Sequence, residues 1–316
     1  MAFRQRRSDL LKFHRPKLVL PTGTQAELSA TLKPESRQCI KNLAAYTPPK
    51  QRSRIPKSRS AAVLIALFVG RKGDLYVVLS RRASTLRTYA GDTSLPGGRW
   101  EPSDRTLEWT ARREAYEEIG LPVDRQRVPL LCTLQPFLAG NQLVVTPIVV
   151  LVLDNTIQPL LNSSEVTSLF SHPLVSFLSK EPPFPLELET LELKYHTYVD
   201  IDWKALNGKV RMHRFQTGRE AGGTKPIFGL TAAILIRVAT IGYAREPDFE
   251  VYAPDQPSQD QRLAYMLKYN EVFREAEKKE GIDPDVIPER YIRPVSKTSL
   301  PPSHKAARRP RIRSRL

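Results

Sequence analysis

Hydrophobic and polar positions divide the chain into segments of different period. AAVLIALFV (61–69) and PIVVLVL (147–153) are unbroken apolar runs, too short to span a bilayer and rich in β-branched residues, the pattern of strands buried on both faces. The first of them, the turn GRKGD and LYVVLS together predict a β-hairpin. A helix is predicted from about Arg105 to Ile119, stopped by Gly120 with Pro122 beyond it, and strand-like runs follow at VPLLCTLQPF and NQLVVTPIVVLVL. SSEVTSLFSHPLVSFL reads as a short helix and loop, KYHTYVDIDW and VRMHRFQT as a further hairpin, and GLTAAILIRVATI as a helix with Leu230, Ile234 and Val238 on one side. A last helix, about Ser258 to Lys279, places Leu263, Met266, Leu267, Val272 and Phe273 on one apolar stripe, and a shorter helix fits Ser36–Ala45. Strands and helices are mixed without strict alternation. That order favours a compact α/β/α sandwich with a mixed sheet over a doubly wound one.

Charge changes the picture at the ends of the chain. Of the net +16, residues 1–60 carry +11 (14 Lys+Arg against 3 Asp+Glu) and residues 296–316 carry +7, which leaves −2 for everything between. A nucleic-acid-binding domain carries its positive stripe on a folded face, so the basic tails argue for solvated segments and against nucleic acid as the partner. Four regions follow: residues 1–57, a basic, proline-containing and partly disordered extension; 58–245, the main domain; 246–295, a helical extension packed on it; and 296–316, a disordered basic tail. Cys39 and Cys132, the only two cysteines, give neither a disulfide scaffold nor a metal spacing, and the five histidines show no metal spacing either. No apolar run is long enough for membrane insertion.

The chemistry concentrates in ARREAYEEIGL (111–121). On a helix, Glu114, Glu117 and Glu118 are i, i+3 and i+4 neighbours on one face, where like charges repel unless something compensates them. Two alternatives arise from the residues alone. Arg112 and Arg113 pair with the glutamates along a solvated surface, or the carboxylates converge on a hard divalent cation that also takes phosphate oxygens. Just upstream, LPGGR places a Pro-Gly-Gly turn where backbone approaches a ligand closely.

GGRWEPSDRTLEWTARREAYEEIGL resembles the Nudix box, G-x5-E-x7-R-E-U-x-E-E-x-G-U, with Arg113, Glu114, Ala115, Glu117, Glu118, Gly120 and Leu121 matching its second half. The first half departs from the pattern. Asp104 stands where the box has its first glutamate, one additional residue precedes Arg113, and Asp104 is available as a helix cap. VLSRRASTLRTYAGDTSLPGG extends the resemblance to the coenzyme A pyrophosphatase branch: Leu79, Ser80, Arg82, Ala83, Arg87, Gly91, Pro96, Gly97 and Gly98 keep the spacing of its upstream signature, while Val78, Ser80 and Leu95 replace the usual Leu, Thr and Phe. GLTAAIL resembles a late helix of that branch, so the similarity runs over about residues 60–240.

The resemblance implies a Nudix α/β/α fold and metal-dependent hydrolysis of the diphosphate bond of coenzyme A and acyl-coenzyme A, giving 3′,5′-ADP and (acyl-)4′-phosphopantetheine. It implies that Glu114, Glu117 and Glu118 hold Mg²⁺ or Mn²⁺ and act with Arg113, which orients them, and that Arg82, Arg87, Gly97 and Gly98 bind substrate. The general base is left open between Glu114 and an acid outside the box such as Glu165, which reads as an exposed helix residue. Trp100 and Trp109 are expected to pack. Alternatives are hydrolysis of another nucleoside diphosphate derivative (NADH, ADP-ribose) and a non-catalytic, RNA-associated Nudix-like module. The ending Ser314-Arg315-Leu316 is a variant of the peroxisomal address read by an import receptor, and peroxisomal residence is the expectation. The arginine-rich N-terminus offers a mitochondrial alternative. Oligomeric state is left open.

Overall fold

The computed structural model describes residues 5–7, 32–51, 53–154, 156–183, 194–203 and 208–283. The expectations for 296–316, including Ser314-Arg315-Leu316, and for most of the first 31 residues lie outside them. At the centre is β1 (Ser60–Val69), in which every residue but Val63 is buried. It pairs antiparallel with β2 (Leu75–Arg82) and β3 (Gly97–Arg99), and parallel with β5 (Val144–Leu151), which in turn pairs antiparallel with β4 (Leu130–Thr133). The sheet is therefore mixed, in the order β6–β2–β1–β5–β4, where β6 is Val166–Pro173.

Alternation along β1 builds two cores at once. Ala62, Leu64, Ala66 and Phe68 face Ala111, Ala115 and Ile119 of α2 (Leu107–Ile119). Ala61, Ile65, Leu67 and Val69 face the other way, toward α1 (Pro34–Ala45) and α3 (Gly229–Tyr243). Helices on both faces make the α/β/α sandwich. The two covering helices cross where Gly242 of α3 lies against the Cys39 sulfur of α1, so closely that any side chain at 242 would displace it. Beside this lies a small sheet of β7 (His196–Trp203), β8 (Gly208–Phe215) and the pair Ile227–Phe228. The histidines there are hydrogen-bonded core groups: His196 Nε2 meets His213 Nδ1 at 2.9 Å, and His172 Nε2 on β6 meets the Tyr195 hydroxyl at 2.7 Å. Both cysteines are free and buried. Among the described residues no helix is long and apolar enough to cross a membrane.

Two expectations fail for identifiable reasons. SSEVTSLFSHPLVSFL is not a helix and loop: Val166–Pro173 is β6, paired among the described residues only with β2 and so at the edge of the sheet, followed by a 3₁₀ turn over Leu174–Leu178. Serine and proline concealed the strand, but an edge position tolerates a proline at its end. The single helix expected over Ser258–Lys279 is two, α4 (Gln259–Tyr269) and α5 (Glu271–Glu280), because the Asn270 side chain accepts hydrogen bonds from the N–H groups of Val272 (3.1 Å) and Phe273 (3.3 Å) and restarts the helix there.

The end of α5 holds the entrance to β1. Both Glu280 carboxylate oxygens accept from backbone N–H groups, of Lys57 and of Ser58, at 2.8 Å each. Burial alone would raise this carboxyl, but the Ser58 and Lys57 hydrogen bonds outweigh it and hold Glu280 below its ordinary range. A depressed carboxylate contributes stability above its unfolded pKa and loses it as pH falls through the folded value. Glu280→Gln is therefore expected to cost about 1 kcal/mol near pH 7. In urea titrations at a series of pH values, that difference should shrink steadily below about pH 4.

Candidate active site

The segment between β3 and α2 folds around one buried carboxylate. Asp104 does not cap the helix; Thr106 does, its hydroxyl accepting from Trp109 N at 3.1 Å. Asp104, its side chain wholly buried, accepts from Glu101 N and the Thr110 hydroxyl (2.9 Å each) and from Arg113, through Nε at 3.0 Å and Nη2 at 3.1 Å. Its burial disfavours the charge, yet the fork from Arg113 and the two other donors prevail, so the carboxyl stays below its usual range. Trp100 packs here, donating Nε1–H to Asp104 O (3.1 Å) with Lys57 Nζ 4.8 Å above its ring.

From this anchor the Arg113 guanidinium spans the glutamates. Nη2 also donates to Arg99 O on β3, and Nη1 lies 3.1 Å from both Glu114 Oε1 and Glu117 Oε2. Arg112 points away, into a buried pair with Glu108 at 2.8 Å. The three glutamates occupy different depths: Glu117 has half its side chain in solvent, Glu114 is mostly covered, and Glu118 is buried. Glu118 accepts from Gly97 N at 3.3 Å. Burial first, then the neighbouring Glu114 charge, push its carboxyl up to about 8 against the pull of Arg82 and the Gly97 N–H. Glu114 is raised as well, by burial and then by Glu117, with Arg113 opposing.

Gly97 and Gly98 bring β3 onto these carboxylates. A Cβ built on Gly98 would land on the Glu114 carboxylate, and one on Gly97 would strike the backbone of Ala62 and Val63. Gly98→Ala is expected to displace Glu114 and to lower turnover at least tenfold, with the fold retained because the displaced group is the end of a side chain. Steady-state kinetics beside a circular dichroism spectrum measure both.

Arg82, last residue of β2, lies on the same side. Its charge reaches Glu118, and its buried Nε has no hydrogen-bond partner among the described residues. Arg87 is exposed in the following loop. That loop is fixed by Lys225, which sequence reasoning did not single out and whose Nζ meets Asp92 Oδ1 at 2.6 Å and Ala90 O at 2.9 Å. Glu165 is not an exposed helix residue. It is half-buried in the turn before β6, its carbonyl accepting from Ala83 N (2.7 Å), and its charge acts on both Glu114 and Glu118. No local motif marks Lys225 or Glu165, because each reaches the site only through the sheet pairing and loop packing.

Among the described residues no three acidic, histidine or cysteine side chains stand close enough together to enclose an ion. Arg113 Nη1 lies between Glu114 and Glu117 instead. The donor set nevertheless suits a hard cation: oxygen ligands only, on one helical face, with two carboxyls raised first by burial and then by neighbouring carboxylates, against the opposing pull of Arg113 on Glu114 and of Arg82 on Glu118.

A mixed sheet between helices, one of which presents this carboxylate cluster to a Gly-Gly turn, defines a Nudix-type domain. The NUDIX domain model matches residues 58–189. Over 249 residues the chain is 35% identical to Nudix hydrolase 22, chloroplastic, of Arabidopsis thaliana, covering 78% of this chain and 74% of that protein. It is 39% identical over 199 residues to Nudix hydrolase 15, mitochondrial, of the same plant (63% and 64%), and 38% identical over 170 residues to Peroxisomal coenzyme A diphosphatase 1 of Saccharomyces cerevisiae (52% and 44%). The match thus spans just under two thirds of the mitochondrial relative and less than half of the yeast one. The chain belongs to the Nudix hydrolase family.

Proposed function

We propose that this protein hydrolyses the diphosphate bond of coenzyme A and acyl-coenzyme A to 3′,5′-ADP and (acyl-)4′-phosphopantetheine. The observation that carries the reading is the Arg82 guanidinium, whose charge acts on Glu118 and whose buried Nε has no hydrogen-bond partner among the described residues. A guanidinium with a spare buried donor beside the carboxylates suits an anionic substrate that accepts hydrogen bonds. Coenzyme A is favoured among diphosphates by the spacing of Arg82, Ala83, Arg87, Gly91, Pro96, Gly97 and Gly98, and by similarity to the yeast coenzyme A diphosphatase.

Glu114, Glu117 and Glu118 would hold Mg²⁺ or Mn²⁺, which when bound polarises the phosphorus and lowers the pKa of water. Arg113, anchored on Asp104, sets the rotamers of Glu114 and Glu117. Gly97 and Gly98 let β3 lie against the cluster, and Arg82 and Arg87 bind phosphate oxygens. Glu165, facing Glu114 and Glu118 from outside the box helix, takes the proton of the attacking water. Glu165→Gln is expected to lower kcat by about 10²–10⁴-fold and to leave Mn²⁺ affinity, measured by titration calorimetry, within about threefold of the original.

The test is a product assay with Mg²⁺ or Mn²⁺. Coenzyme A should yield 3′,5′-ADP; equal or faster cleavage of NADH or ADP-ribose would displace this substrate. Tight, salt-sensitive RNA retention with no hydrolysis would favour the RNA-associated module. The location proposed with this activity is the peroxisome, the expected result of imaging an N-terminally tagged full chain.

A further inference from the structure

Arg81 and Arg82 are consecutive residues of β2, so their side chains leave opposite faces of the sheet. Arg82 goes to Glu118 and the box helix. Arg81 goes to the loop between β8 and α3, where Nη1 donates to Gly222 O at 3.3 Å. The guanidinium lies along the backbone there: a Cβ on Gly223, whose φ is +78°, would stand 3.1 Å from Arg81 Nη2. Four residues earlier in the same loop, Arg219 donates to Thr217 O at 3.2 Å and holds its guanidinium 5.2 Å from the Phe170 ring centre on β6.

Neither arginine forms a salt bridge among the described residues. Glu220, the acid within the loop, is occupied locally, its Oε1 accepting from Thr217 N at 2.6 Å and from the Thr217 hydroxyl at 3.0 Å. Lys225, by contrast, is neutralised by Asp92 at 2.6 Å. Two guanidinium groups with no salt bridge among the described residues therefore donate to carbonyls of one glycine-rich loop, at Gly222 and at Thr217. Arg81 leaves the sheet face opposite to that of Arg82, and the loop carrying Arg87 follows both in the chain.

We infer that Arg81 and Arg219 form a second anion subsite, which binds a phosphate monoester carried by the substrate at a distance from its diphosphate. The inference rests on the coenzyme A reading, in which that group is the 3′-phosphate of the ribose. Planar guanidinium groups suit a terminal phosphate because each presents paired N–H donors to its oxygens. Position 81 is an unspecified one in the signature that includes Arg82, so the resemblance by itself assigns it no role. Selection between a 3′-phosphorylated and an unphosphorylated dinucleotide then falls to residues outside the box and outside that signature.

The experiment compares kcat/KM for coenzyme A and for dephospho-coenzyme A, which lacks only the 3′-phosphate, in the full-length protein with Mn²⁺. The original protein should prefer coenzyme A by at least about tenfold, the scale of one charge-assisted contact. Arg81→Gln and Arg219→Gln should each bring that preference to within a few-fold of unity by raising KM for coenzyme A, and Arg81→Lys should restore part of it. A merely structural role for Arg81 would change both substrates alike and leave their ratio untouched, which would overturn the subsite. An original protein that cleaves both compounds equally well would overturn it too. Hydrolysis of neither would sink the coenzyme A reading itself, and the subsite with it.

Discussion

Glu117→Gln is expected to reduce hydrolysis by at least about a thousandfold while leaving the unfolding temperature nearly unchanged. The two halves of this expectation come from one observation. Half of the Glu117 side chain is in solvent, and its hydrogen-bond partner is Arg113 Nη1 at 3.1 Å, which keeps its bonds to Asp104 and its contact with Glu114 when Glu117 is neutralised. An exposed pair of this kind contributes at most about 1 kcal/mol to stability. The negative charge, on the other hand, is what a divalent cation needs from this position. Kinetics with Mn²⁺ and calorimetric unfolding of the same preparation separate the effects. Activity within tenfold of the original would show that Glu117 holds no metal essential to the reaction.

Arg113→Ala should do the opposite and damage fold and activity together. Removing the guanidinium leaves the Asp104 carboxylate fully buried with only Glu101 N and the Thr110 hydroxyl to satisfy it. Truncating one partner of such a pair costs about 3–5 kcal/mol. Arg113→Lys should recover only part of this, since an ammonium cannot make the two-pronged contact with Asp104 and also reach Arg99 O, Glu114 and Glu117. The sign of the pH dependence follows from Asp104, whose folded carboxyl lies below its ordinary range. Its contribution is complete above the unfolded value near 4 and disappears as pH falls through the folded one. Guanidinium denaturation at pH 7 should therefore show the full loss in Arg113→Ala, and the gap from the original protein should narrow as the pH is lowered below about 4. A constant gap would mean that packing of the arginine stem, not the ion pair, supports this corner.

Much of this was written in local chemistry. Unbroken apolar runs determined β1 and β5, because a strand covered on both faces must be apolar at every position. The Gly120 stop and helical spacing determined that Glu114, Glu117 and Glu118 share one face, since the helical repeat is a property of the backbone alone. The family resemblance of the box and its upstream signature was equally visible. Tertiary structure alone decided the rest. It turned Asp104 from an available helix cap into the buried anchor of Arg113, and made β6 from a serine-rich stretch that suggested a helix. It also brought Glu165 and Lys225 to the site from distant parts of the chain and sent the adjacent Arg81 and Arg82 to different surroundings. The physical reason is common to all of these. A buried charge or an edge strand takes its energy from partners far away in sequence, and the local pattern holds no record of which partners the packed layers will supply.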